Sequence, residues 1–171
     1  MEIRWLIRAD MDDVLRIENE SFEYPWTEEE LLKLLRVRNH IGMVCIVENR
    51  VVGYMIYELN KSHIDLKTIA VELNSRKSHI GKSMIERLKG KLSIERRTKI
   101  EASVRERNLP AQMFFSSQGF ICEKTTADAY ENCDEAEYLF VYSIKPRFAN
   151  RISQHLNATN EDSSEKEAGN Q

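Results

Sequence analysis

The stretch Arg76-Lys77-Ser78-His79-Ile80-Gly81-Lys82-Ser83 decides how this chain folds. Upstream lies Ile69-Ala70-Val71, the end of a β-rich run. Downstream, Ile80, Met84, Ile85, Leu88 and Leu92 recur at the 3.6-residue spacing of an amphipathic helix over His79 to Leu92. A strand, a tight loop and a helix N-terminus direct several free backbone N–H groups at one point. With Arg76, Lys77 and Lys82 beside them, those groups would hold a pyrophosphate. Taken alone, the same residues also fit a solvated basic helix start, because one glycine does not make a phosphate loop.

Working outward, Lys99 to Val104 reads as a strand, so the helix is the crossover of a β-α-β unit and brings parallel pairing. On the other side, Met43 to Glu48 and Val51 to Glu58 are β-rich runs separated by Asn49-Arg50. They form a hairpin continued by a third strand over Ile64 to Val71. Ile3, Trp5 and Ile7 alternate with polar residues as an opening strand, and Asp10 offers an N-cap for a helix carrying Val14, Leu15 and Ile17. After Phe22-Glu23-Tyr24-Pro25-Trp26, Thr27 and Glu30 stand in capping-box spacing before Leu31, Leu32, Leu34 and Leu35. Pro110 suits the start of another helix, ending before Gly119, and Phe120 to Lys124 and Glu137 to Ile144 supply the last two strands. The sum is an α+β domain over residues 1–146, a mixed, mostly antiparallel sheet flanked by helices. Beyond Pro146 the chain turns polar, and residues 147–171 read as a disordered acidic tail.

With 171 residues, 42% of them apolar, the chain can bury the core of one domain. Its formal charge of −3 lies in Asn157 to Gln171, where Glu161, Asp162, Glu165 and Glu167 face only Lys166, leaving residues 1–156 neutral. The neutral body lacks the basic face that counterion release requires, so no nucleic-acid partner is expected. The longest apolar run, Ile41 to Val47, is too short for a bilayer or a signal segment; no membrane association and a cytoplasmic location are expected. Cys45, Cys122 and Cys133 form no C-x-x-C pair, which fits reduced thiols, with Cys45 a small buried hydrophobe. His40, His63, His79 and His155 show no ligand spacing, and no metal is expected.

Arg76 to Gly81 resembles the R-x-x-G-x-G/A coenzyme A loop of the GNAT (Gcn5-related) N-acetyltransferase superfamily, and the order of elements is similar to that superfamily's. Asn108-Leu109-Pro110-Ala111 through Gly119-Phe120 resembles its N-x-x-A-x-x-x-Y-x-x-x-G-F helix and turn, agreeing at Asn108, Ala111, Gly119 and Phe120. Glu18 to Leu31, with Phe22, Pro25, Trp26 and Thr27, resembles the F-P-W-[ST] segment of ribosomal-protein alanine N-acetyltransferases of the RimI type. Tyr130-Glu131-Asn132 before Glu137-Tyr138-Leu139 resembles the substrate-side loop and final strand of that group. The resemblance covers roughly residues 2 to 146.

It implies acetyl-CoA as cofactor, held by the backbone of Ile69, Ala70 and Val71, by Arg76, Lys77, Ser78, His79, Ile80, Gly81, Lys82 and Ser83, and by Asn108, Ala111 and Phe115. It implies an acceptor amine among Tyr24, Pro25, Trp26, Tyr130 and Tyr138, attacking the thioester carbonyl directly with no covalent enzyme intermediate. An aromatic staple closing the helix pair is the alternative for Tyr24-Pro25-Trp26, and both roles can coexist; core packing is the alternative for the two tyrosines.

Three positions depart from the family pattern. His79 stands at the loop's usual first glycine, Ser103 at the glutamate proposed as general base, and Phe115 at the tyrosine proposed to protonate the departing thiolate. An α-amine of pKa near 7.8 is roughly 14% neutral at pH 7, against about 0.04% for lysine, so an N-terminal acceptor hardly needs a strong base. Substitute bases are Asp65, where histone-type members carry their glutamate, and Glu101, which shares a strand face with Ser103. His63 shares the face of Asp65. A surface carboxylate reading competes for both acids, and Ser103 could orient a water toward Glu101.

The reading is an acetyl-CoA-dependent N-acetyltransferase acting on the N-terminal α-amine of a protein, ribosomal proteins among them. Its rivals are a small-molecule amine acetyltransferase and an acyl-CoA-binding module that has lost catalysis. The sequence leaves the chain a monomer or a homodimer.

Overall fold

The computed structural model describes residues 1–130 and 134–144. Seven strands form one sheet: β1 (Glu2–Trp5), β2 (His40–Val47), β3 (Arg50–Leu59), β4 (His63–Val71), β5 (Lys99–Arg105), β6 (Ile121–Thr126) and β7 (Glu137–Ser143), in the order β1-β2-β3-β4-β5-β7-β6. The four helices are α1 (Met11–Ser21), α2 (Glu28–Arg36), α3 (Ile80–Lys89) and α4 (Leu109–Ser117). Only β4 and β5 pair in parallel; every other neighbour is antiparallel. This is the expected mixed sheet flanked by helices. The proposed tail, together with Glu131, Asn132 and Cys133, lies outside the described residues.

The sheet separates two cores. Ile17 and Val14 of α1 and Leu31 of α2 pack with Val44, Tyr54, Ile56 and Ala70 on one face. Ile80, Met84, Ile85 and Leu88 of α3 pack with Tyr57, Ile64, Leu66 and Phe115 on the other. The capping box forms as its spacing predicts: Glu30 N–H donates to Thr27 Oγ1 at 3.3 Å, and Thr27 N–H donates to Glu30 Oε2 at 2.8 Å. The β2–β3 turn falls one residue earlier than the sequence suggests. Val47 pairs with Arg50, and Glu48 and Asn49 both take positive φ, the twist that a two-residue hairpin requires.

Asp10 corrects a second expectation. It precedes α1 but makes no side-chain cap to it. Its carboxylate accepts from Ile7 N–H at 2.9 Å and from the Arg4 guanidinium at 2.7 and 2.8 Å, closing a 3-10 turn over Arg8–Asp10. Two guanidinium bonds to a nearly buried carboxylate outweigh one cap bond.

The feature that makes the site is a bulge in β4. Ile56 pairs with Thr68 and Tyr57 with Leu66, leaving Lys67 unmatched. An extra residue bends its strand and reverses the alternation beyond it. Ile64 and Leu66 therefore face the α3 core, whereas Ala70 faces the α1 core. Pairing with β5 stops at the same level, at Leu66 with Ala102. Beyond it the two parallel strands separate.

Candidate active site

A cavity of about 860 Å³ opens between the separated ends of β4 and β5. Leu66 to Val71 form one wall and Ala102 to Arg105 the other; the α3 N-terminus closes one end, and residues of the α1–α2 segment line the other side. Backbone groups of β4 past Leu66 that point toward β5 have no strand partner, so they are available to a ligand lying along the cleft.

At the α3 end, no side chain caps the helix. Its first-turn N–H groups remain directed at the cavity, with the positive end of the helix dipole behind them. Arg76 braces the loop: its Nε donates to Val71 O at 2.9 Å and Nη2 to Ser21 Oγ at 3.1 Å. Ser78 Oγ donates to the Ser75 carbonyl. His79 takes φ 66° and ψ 6°, and Lys77 takes φ 62°. His79 is thus an ordinary residue in the left-handed conformation that glycine adopts without cost. A Cβ on Gly81 would stand 3.1 Å from the Phe114 ring, so glycine there lets α3 and α4 approach closely.

Of the expected cofactor residues, Ile69, Ala70, Val71, Arg76, Lys77, His79, Ile80, Gly81, Lys82, Asn108, Ala111 and Phe115 line the cavity; Ser78 and Ser83 do not. Asn108 caps α4, its Oδ1 accepting from Ala111 N–H at 3.1 Å. Phe115 is buried edge-on against Phe114 and Phe120 and stacked on Phe140. Of the expected acceptor residues, Tyr24, Trp26 and Tyr130 line the cavity, while Pro25 and Tyr138 stand outside it, Tyr138 donating its hydroxyl to Glu106 at 3.3 Å.

Among the proposed catalytic side chains, Ser103 lines the cavity, one residue past the last parallel pair. Asp65 and Glu101 do not; they sit side by side in the paired part of β4 and β5. There Asp65 is ion-paired with Lys67, which also meets Glu58 at 3.0 Å, and Glu101 pairs with Lys99 and lies 3.8 Å from His63. Both acids are therefore engaged by cations at the closed end of the strand pair.

Two groups in the cavity wall escaped the sequence reading. The Arg105 guanidinium lies 3.7 Å from the centre of the Tyr130 ring and 4.6 Å from that of Tyr24, and it also pairs with buried Glu135 at 3.0 Å. This cation holds together the two aromatic sides of the cavity mouth. The second is Glu18 of α1, 1% exposed, whose Oε1 accepts from Trp26 N–H at 2.9 Å and whose Oε2 accepts from the Tyr54 hydroxyl. Burial pushes its carboxyl up to about 7. Its position was legible: Glu18 follows Val14 by four residues, on the stripe that carries Met11, Val14 and Ile17 into the core.

A parallel strand pair that parts at a bulge, with an uncapped helix N-terminus at the end of the opening, forms a cleft whose open backbone suits an extended ligand and whose helix end suits an anionic group. Sequence comparison supplies the class: residues 11–120 match the Acetyltransferase (GNAT) family, and the chain belongs to that family. An uncharacterized N-acetyltransferase of Methanocaldococcus jannaschii is 26% identical over 137 residues, which cover 80% of this chain and 88% of that protein. The fold is shared with the ribosomal-protein-S18-alanine N-acetyltransferase of Escherichia coli, at a TM-score of 0.74 and 18% identity over 86% of this chain and 97% of that one. It is shared too with NAA60 of Arabidopsis thaliana in complex with acetyl-CoA, at 0.71 and 17% identity over 84% and 99%. No helix among the described residues is long and apolar enough to cross a membrane.

Proposed function

We propose that this N-acetyltransferase takes its acetyl group from acetyl-CoA and passes it directly to the N-terminal α-amine of a protein. The observation that carries the reading is the two-ended cavity. One end presents backbone N–H groups and basic residues, and the other is lined by Tyr24, Trp26, Tyr130 and Arg105.

In this reading the pyrophosphate sits on the α3 N-terminus beside Arg76, Lys77 and Lys82, and the pantetheine arm bonds to the open backbone of Ile69 to Val71. The thioester carbonyl then lies between the strands near Ser103. An amine entering past Tyr24 and Tyr130 attacks that carbon; the new C–N bond forms, the C–S bond breaks, and the electron pair leaves on sulfur. With a pKa of roughly 8.5, by analogy to cysteine, the thiol departs tolerably as a thiolate, which suits a site where Phe115 offers no proton. Positioning of two reactants in one cleft supplies much of the rate.

The test is thiol release by purified protein given acetyl-CoA and a panel of short peptides, one starting with alanine, beside polyamines, amino sugars and a no-acceptor control. Release that depends on peptide supports the reading. Release with small amines alone transfers the activity to the small-molecule class, and binding of coenzyme A without release to any acceptor favours a binding module.

A further inference from the structure

Five polar or charged side chains are buried among the described residues: Asp10, Glu18, Thr68, Glu72 and Glu135. Three of the four acids are matched by cations. Asp10 meets Arg4 at 2.7 Å, Glu72 meets Arg16 and Arg50 at 3.0 and 2.8 Å, and Glu135 meets Arg105 at 3.0 Å. Glu18 is ion-paired with no cation among the described residues. Its partners are an amide and a phenol. A buried carboxylate without a cation is costly to keep for packing alone, because an apolar residue or an amide would fill the same space.

The remaining member of the five connects Glu18 to the cleft. Tyr54 Oη, already bonded to Glu18 Oε2, lies 3.2 Å from Thr68 Oγ1. Thr68 is the first β4 residue past the unmatched Lys67, and it lines the cavity. Without the bulge, two-residue alternation would place Thr68 on the α3 face with Leu66. The bulge instead turns it toward Tyr54 and α1, the side of the sheet that also carries Trp26. A continuous line of exchangeable protons thus runs from a cavity-lining hydroxyl to a buried carboxylate.

We infer that Glu18 takes up the proton lost by the acceptor amine, receiving it through the hydroxyls of Thr68 and Tyr54. The inference rests on the acetyl-transfer reading above. As the C–N bond forms, the amine proton passes to Thr68 Oγ, the Thr68 proton passes to Tyr54 Oη, and the Tyr54 proton passes to Glu18 Oε2. Each hydroxyl gives one proton and takes one, so only Glu18 changes charge. As products leave, the carboxyl returns the proton along the same line to the departing thiolate or to water entering the cleft. Thr68 is the catalytic residue of the chain; Tyr54 and Glu18 act through it. The relay replaces the base that Ser103 does not supply. Facing Glu18 are the Tyr54 phenol from β3, the Thr68 hydroxyl behind it from β4, and the Trp26 amide. The nearby loop cation Arg76 is engaged by Ser21 Oγ and Val71 O. A carboxyl held near neutrality by burial is matched to accept a proton at physiological pH.

The experiment compares wild type, Glu18→Gln, Thr68→Val and Thr68→Ser for steady-state turnover of a competent acceptor, and follows the Glu18 carboxyl by carbon-13 NMR titration in wild type and Tyr54→Phe. The relay predicts kcat lowered about 100-fold in Glu18→Gln and Thr68→Val, with KM for acetyl-CoA unchanged and Thr68→Ser close to wild type. A packing role alone would not separate serine from valine in this way. Retention of kcat within threefold by both Glu18→Gln and Thr68→Val overturns the inference. If wild type itself turns over no acceptor, the acetyl-transfer reading fails separately, and the titration decides the relay's chemistry. A Glu18 carboxyl that ionises between pH 6 and 8 and moves when Tyr54 loses its hydroxyl supports it; one already ionised below pH 5 overturns it.

Discussion

Replacing Glu18 by glutamine should make the protein more stable at alkaline pH while leaving its stability in acid nearly unchanged. In the fold the carboxyl is raised by burial from an ordinary 4.5 to about 7. Between those values the native state binds a proton that the unfolded chain has already released. Stability therefore falls as pH rises through this window, and stays lower above it. The interval corresponds to about 3 kcal/mol at pH 8. Glutamine keeps a carbonyl for the Trp26 amide and carries no charge to desolvate, so the variant escapes that fall. Asp10 and Glu72 are held below their ordinary values, Asp10 chiefly by the Arg4 hydrogen bonds and Glu72 by Ser75 and Arg16 against the opposing effect of burial. Their contributions are present above their unfolded values and are lost only on acidification. Both persist in the variant and cancel in the comparison. Urea denaturation of wild type and Glu18→Gln at pH 5, 6, 7 and 8 reads the difference. The expected gap is about 1 kcal/mol or less at pH 5 and about 3 kcal/mol at pH 8. Parallel pH dependences, or a variant less stable at pH 8, would refute the claim that Glu18 ionises at a cost inside the fold.

Three further outcomes are expected. His79→Gly, which relieves a side chain from φ 66°, should raise stability by about 1 kcal/mol and preserve or tighten coenzyme A affinity by calorimetry; a tenfold loss of affinity would show that the imidazole holds phosphate. Arg105→Lys keeps the charge but loses the planar cation between Tyr24 and Tyr130, so KM for the acceptor should rise severalfold with KM for acetyl-CoA unchanged. Arg4→Met strands the nearly buried Asp10 carboxylate and should lower stability at pH 7, with the penalty shrinking on acidification as the carboxyl takes up a proton, measured by denaturation across the acid range.

The elements themselves were readable because each carries a local signal. β-rich runs mark β2 to β5, the period of Ile80, Met84, Ile85 and Leu88 marks α3, and Thr27 with Glu30 marks the start of α2. What pairs with what was less so. The insertion of β7 between β5 and β6, and the four-residue limit of the parallel pairing, are tertiary facts that no local pattern encodes. The Lys67 bulge leaves the sequence alternation intact while reversing which core each side chain meets, so period-two reasoning carries no trace of it. That is why strand position alone drew attention to Asp65 and Glu101, whereas the bend directs Thr68 to the cleft and leaves those acids with Lys67 and Lys99. Asp10 illustrates the same limit on a smaller scale, since a cap residue is recognisable locally but Arg4 competes for it across the turn.

The most direct test of direct transfer to a protein N-terminus is tandem mass spectrometry of an alanine-initiated peptide with one internal lysine, after incubation with acetyl-CoA and purified protein. Acetyl on the α-amine and none on the lysine side chain is the predicted product. Acetyl confined to the lysine, or an unmodified peptide beside acetylated polyamine, would contradict it.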